Sequence, residues 1–196
     1  MKCFCVLFAL ALLLTLQPNM AGQGNDSDLS GIIKTLEQGI EKKNAQEKEL
    51  YLVALLHIKQ YEKGIAVYEK HFAQKKPDFT MQMTYYKLLK GADDKRAVRA
   101  LGELYGKLPL NPSVLYELGL DFSKRGEFSD IGRTFFEKAI EVDPFFLPPY
   151  LEIARWSREP DEILKNCARG LSLVAPDSIE AKELREILTK HKLPAK

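Results

Sequence analysis

A chain of 196 residues that is 45% hydrophobic and 29% charged carries enough apolar material for one packed body and too much for a disordered tail. Its 29 Lys and Arg stand against 27 Asp and Glu, a formal charge of +2. The two signs alternate without a long block of either, which excludes a dedicated nucleic-acid-binding segment and reads as solvated helix faces.

The chain opens with Met1 and Lys2, runs apolar from Cys3 to Leu16 apart from Thr15, and breaks at Gln17, Pro18 and Asn19 before the small residues Ala21 and Gly22. This is the three-part layout of a secretory signal peptide, expected over residues 1–21 with cleavage near Ala21 or Gly22. The apolar run of 14 residues falls short of the ~20 needed to span a bilayer, so an uncleaved signal anchor tethering the protein to the membrane is the alternative rather than the first reading. Gly22 and Gln23 stand where a lipid-bearing Cys would be needed, which argues against lipidation. The product is expected to be exported, to a periplasm or to the outside. Loss of the leader removes Lys2, bringing the charge to about +1. It also removes Cys3 and Cys5, leaving Cys167 with no intramolecular partner.

A polar stretch, residues 22–28, has a linker's composition and contains the sequon Asn25-Asp26-Ser27. From there, helical spacing of apolar residues predicts helices over 29–43, 45–58, 62–74, 79–90, 94–107, 113–124, 128–141, 148–157, 161–173 and 178–191. Asp78, Ser113, Asp161 and Asp177 are the expected N-caps. Pro77, Pro112, Pro144, Pro160 and Pro176 sit where a preceding helix cannot continue. With connections this short, neighbouring helices must fold back antiparallel.

The helical pairs recur. Gly64, Ala97, Gly132 and Leu164 are 33, 35 and 32 residues apart, and Tyr68, Leu101, Phe136 and Ala168 keep the same separations. A period of ~34 residues is that of a repeating hairpin. The first position of each set is expected to let the two helices of a hairpin approach closely, and the second to fill the gap to the next hairpin.

Residues 113–144 carry Leu115, Leu118, Gly119 and Phe122 on one helix, Gly126 at the turn, then Phe128, Gly132, Phe136, Ala139 and the closing Asp143-Pro144. This pattern resembles a tetratricopeptide repeat, with one residue too many between Gly126 and Gly132. Weaker copies supply Tyr61, Gly64 and Tyr68 in residues 45–77; Ala97, Leu101 and Leu104 in residues 78–111; and Ile153, Ala154, Leu164 and Leu171 in residues 147–176. The resemblance implies an all-α fold over residues 29–196, a right-handed stack of antiparallel helical hairpins forming an α-solenoid. Its ends would be capped by Leu29–Lys43, with Ile32, Ile33, Leu36 and Ile40 inward, and by Asp177–Lys192, with Ile179, Leu184, Ile187 and Leu188 inward.

Chemistry has little foothold in such a chain. His57, His71 and His191 share no metal-ligand spacing, and His71 is expected to pack beside Tyr68. Cys167 lies on the apolar stripe of its helix, as a buried inert thiol would. No glycine-rich turn follows a strand. The expectation is therefore no enzyme, no cofactor and no metal site.

What remains is surface. The resemblance implies that the first helices of the pairs line a concave face, which directs a partner to Tyr86 and Lys90, to Tyr116, Leu120 and Lys124, and to Arg155 and Arg158. Rigid aromatics beside long cations suit an acidic peptide. Tyr116 and Leu120 stand where some family members place the Lys and Asn that clamp a C-terminal carboxylate, so that mode of recognition is not implied. The expected function is a non-catalytic protein- or peptide-binding scaffold outside the cytoplasm. The alternative is a structural subunit or assembly factor of an envelope or secretory-pathway complex, using the caps or convex face. Self-association is open to either.

Overall fold

The computed structural model describes residues 26–123 and 130–192. The expected leader over residues 1–21, residues 22–25 with the sequon's Asn25, and Lys124, Gly126 and Phe128 lie outside the described residues, as do the side chains of residues 26–30 and Ile32. The described chain is all-helical, with no strand. Its helices are α1 (Asp26–Glu37), α2 (Ala45–His57), α3 (Tyr61–His71), α4 (Phe79–Gly91), α5 (Arg96–Lys107), α6 (Pro112–Ser123), α7 (Asp130–Val142), α8 (Pro148–Trp156), α9 (Pro160–Leu171) and α10 (Ile179–Lys190). None of these is long and apolar enough to cross a membrane.

Each helix starts within a few residues of its expected position, but the local causes differ from those expected. The segment 29–43 is not one helix. It ends at Glu37, and Gly39, at φ 69°, turns the chain through the left-handed region into a single 3-10 turn, Ile40–Lys42. Only glycine adopts that conformation without steric cost. Of the four expected N-caps, Asp78 holds, its Oδ1 accepting from the Met81 N–H at 2.9 Å. The other three do not cap, and two of them yield to a neighbour. Asn111, not Ser113, accepts from the N–H groups of Ser113 and Val114. Ser178, not Asp177, accepts from Ala181 at 3.1 Å. Asp161 lies inside the first turn of α9, which begins at Pro160. A fifth cap was legible but unread: Asn44 and Glu47 form a reciprocal capping box at the head of α2, with bonds of 2.9 and 3.1 Å.

The chain divides into two units, residues 1–102 and 103–196, with the boundary inside α5. In the first, α1 packs on α2, α2 on α3, α3 on α4, and α2 also on α4. Its core gathers Ile33, Leu36, Leu50, Tyr51, Ala54 and Leu55, with Ile40, Ile58 and Val67 at its edge. Gly64 does not serve contact within the α2–α3 hairpin as expected. It faces α4, where a Cβ would fall 2.5 Å from Leu88 Cδ2. The residue that needs no side chain here is thus set by the helix after the hairpin.

In the second unit α6 packs on α7, α7 on α8, α8 on α9, α9 on α10, and α8 also on α10. One core comprises Leu151, Ala154, Ile163, Cys167, Leu184, Ile187 and Leu188, flanked by Leu147, Leu164 and Leu171. The α6–α7 pair crosses at two glycines. A Cβ on Gly119 would enter the ring of Phe136, and one on Gly132 would meet Ser123 Oγ and stand 2.9 Å from the Gly119 carbonyl oxygen. Gly132 therefore does what was expected of it. Ala168, expected to fill a gap between hairpins, is exposed instead. On α10, Leu184, Ile187 and Leu188 point inward, whereas Ile179 is 45% exposed, against expectation.

Candidate functional site

The groove residues expected from sequence separate into three groups. Tyr116 and Arg155 meet on one face of the second unit, around Glu152 of α8. That carboxylate is buried; it accepts from the Arg155 guanidinium and, at 3.1 Å, from the Trp156 indole N–H. Arg155 reaches further, its Nε donating to Glu183 of α10 at 2.9 Å. Burial alone would lower the guanidinium's pKa, but the Glu183 and Glu152 carboxylates outweigh it and leave it raised. Tyr116 packs edge-on against Phe146 and tilts over Phe136, with centroids 5.9 and 5.8 Å apart. Its phenol is pushed well up, first by burial and then by Glu152 and the buried Glu117.

This geometry corrects the expected partner chemistry at this face. Arg155 is a cation already divided between two carboxylates of its own chain, so a carboxylate arriving from a partner would have to displace one of them. Tyr116 is correspondingly a packed ring that shows only part of itself. Leu120, one turn on, is half-buried, and Arg158 lies exposed in the short connection before α9. Trp156, which sequence reasoning passed over, is half-exposed beside Arg155. Its position at the end of α8 was readable, but its ties to Glu152 depend on the helix fold.

In the first unit the register of the tyrosine pair is the reverse of the expected one. Tyr86 is 0% exposed, with the Lys90 ammonium 5.2 Å above its ring. It offers no surface to a partner, because α4 turns it into the core alongside Leu89. Tyr85 is the half-exposed one, stacked on Tyr68 at 4.1 Å. Its hydroxyl donates to Glu69 at 2.9 Å, and Arg96 binds both Glu69 and Asp94. Burial, then the Glu69 bond, pushes the Tyr85 phenol up to about 12. The group ties α3, α4 and the start of α5 together and commits the one cation, Arg96, to two carboxylates of its own chain.

Cys167 is fully buried in the core of the second unit, and burial pushes its thiol up to about 11, as suits an inert side chain rather than a nucleophile. His57 and His191 are exposed.

His71 is largely covered, its Nε2 3.9 Å from Glu41 Oε1. Its pKa is lowered, first by burial, then by Lys48 and other lysines, against the opposing pull of Glu41. The folded protein therefore prefers the neutral ring. Because the native pKa lies below the unfolded value of about 6.5, this preference stabilises the fold fully above that pH. It is lost as the pH falls through the native pKa. Urea midpoints measured from about pH 7.5 down to about pH 5 should thus fall more steeply for the parent than for His71→Gln. Parallel curves would remove His71 from the pH dependence.

No family model and no curated protein matches this chain.

Proposed function

We propose that the protein is a non-catalytic scaffold that holds another protein or a peptide segment, built as a right-handed, tetratricopeptide-like stack of helical hairpins and acting outside the cytoplasm. The observation that carries this reading is one of neighbourhood. In each unit a helix rests on the next one and on the next but one, α2 on α3 and α4, α8 on α9 and α10. Hairpins stacked side by side require that adjacency, and a period of ~34 residues anticipates it. A stack of this kind presents a preformed surface, so a partner docks without much ordering of the scaffold. The surface best suited is that of α6 and α8 in the second unit, where Trp156 and the exposed part of Tyr116 border the Glu152–Arg155 pair, with Leu120 on α6 and Arg158 just past α8 as the further residues it would use.

A second reading is that the protein is a structural subunit or assembly factor working through its end helix or outer faces. Ile179 on α10, Ile131 on α7 and Phe145, 74% exposed, are the apolar side chains such a contact would draw on, since contiguous apolar patches mark contact surfaces.

One experiment separates the two. Partners are captured from an extract of the exported compartment by the parent and by a variant carrying Leu120→Asp and Arg158→Ala, each verified as folded by circular dichroism. A partner held by the parent and lost by the variant supports the α6–α8 face. A partner retained by both moves the interface to Ile179 and the outer apolar residues.

A further inference from the structure

The first unit carries a charged cluster that the α6–α8 face does not use. After the left-handed turn at Gly39, the 3-10 turn brings Glu41 to α3, where Glu41 Oε1 lies 2.5 Å from the Lys70 ammonium and 3.9 Å from His71 Nε2. From α2, the Lys48 ammonium donates to the Glu41 backbone carbonyl at 3.3 Å. Lys75, beyond the end of α3, is near enough for its charge to act on His71. Lys43, on the flank, is paired with Glu47 at 3.5 Å. The Glu41 residue therefore meets two ammonium groups, Lys70 and Lys48, and His71; with Lys75 near His71 the cluster has a surplus of two positive charges, three when His71 is protonated. The cluster is open to water: the side chains of Glu41 and Lys70 are 59% and 64% exposed.

We infer that this cluster of Lys48, Lys70, Lys75 and His71 around Glu41 is a docking surface for an acid-rich segment of a partner protein. Glu41 shows which anion the site fits, because a carboxylate already rests among these donors. An exposed Lys–Glu pair contributes little to stability, so an incoming Asp or Glu can take the place of Glu41 or sit beside it at small cost. The surplus charge draws such a segment in from a distance, with a strength that falls as salt rises. The site is distinct from the α6–α8 face, and the two stand or fall separately.

The test uses the full chain and a fluorescent oligoglutamate peptide at low salt, followed by anisotropy. The parent should bind, and the pair Lys70→Glu with Lys75→Glu should bind about tenfold more weakly or worse. Glu41→Gln, which removes the internal competitor and leaves the fold's apolar contacts untouched, should bind more tightly than the parent. Binding should also raise the pKa of the His71 ring, followed through its proton resonances, since an added carboxylate favours the imidazolium. The Leu120→Asp, Arg158→Ala variant should bind as the parent does. Equal binding by the charge-reversed and parent proteins, weaker binding by Glu41→Gln, or loss in the Leu120 and Arg158 variant would each overturn the assignment. So would preference for phosphatidylserine-containing vesicles over the peptide, which would make the surface one for lipid.

Discussion

Phe136→Ala should lower the stability of the second unit by about 3–5 kcal/mol, the range for emptying the space of a fully buried ring. Phe136 has no exposed surface. Its ring lies against Gly119 of the facing helix and under Tyr116. The site has little means of collapsing, because the wall opposite the ring is helix backbone at Gly119 rather than a side chain that could swing in. Urea denaturation followed by far-ultraviolet circular dichroism measures the loss. The pairing with Gly119 gives a sharper check. In the parent, Gly119→Ala would drive its methyl into the ring, 2.6 Å from Cδ1, whereas in the Phe136→Ala background that obstacle is gone. The alanine at Gly119 should therefore cost clearly less in the second background, a coupling that a double-mutant cycle reads directly. Additive costs would mean that Phe136 does not fill the space beside Gly119.

Gly132→Leu is the second large effect, expected at about 3 kcal/mol or more, at or above the upper end of overpacking costs. The obstacle is backbone as well as side chain. A Cβ at this position stands 2.9 Å from the Gly119 carbonyl oxygen and 3.3 Å from the Ser123 nitrogen. No rotamer relieves a clash with backbone, so α6 and α7 must separate. The Ser123 hydroxyl, which donates back along α6 to the Gly119 carbonyl at 2.7 Å, stands directly in the path of that Cβ and adds to the obstacle. Gly102→Ala is the control, since a Cβ there meets nothing within 4 Å. Alanine in a helix interior is favoured over glycine by roughly 0.5–1 kcal/mol. A thermal melt in which both substitutions shift the midpoint the same way would contradict the close crossing at Gly132.

Gly132 was legible before any coordinates, because a period of ~34 placed it where the two helices of the best-matched hairpin close; Phe136 was legible as a large packing residue, but its ring fills the space against Gly119 of its own hairpin, where the gap to the next hairpin was expected. Helix positions were legible for a related reason. Apolar spacing is a local property, and it survives whatever the neighbours do. Caps were less so: near each helix start two or three oxygen-bearing side chains compete, and the winner depends on backbone angles one residue apart, as Asn111 and Ser178 show against Ser113 and Asp177. The Tyr85–Tyr86 pair failed for want of resolution. Adjacent positions differ by about 100° around a helix, and α4 carries apolar residues on most sides, so the inward one could not be chosen. Arg155 failed by distance. Its partner Glu183 lies 28 residues on, and a long cation read in isolation looks available whether or not another helix has claimed it.

The buried thiol in the second unit has a use in kinetics. Cys167 sits among Leu151, Ile163 and Leu184, and its thiolate is scarce at neutral pH, so a thiol-reactive reagent can modify it only during excursions that part α8, α9 and α10. The rate at which Cys167 is labelled then becomes a clock for those openings, scaling with their equilibrium population when reclosing is fast. Partners that grip the α6–α8 face would slow that clock, and partners held at the Glu41 cluster in the other unit would leave it running, so one slow chemical reaction can distinguish where a bound protein sits.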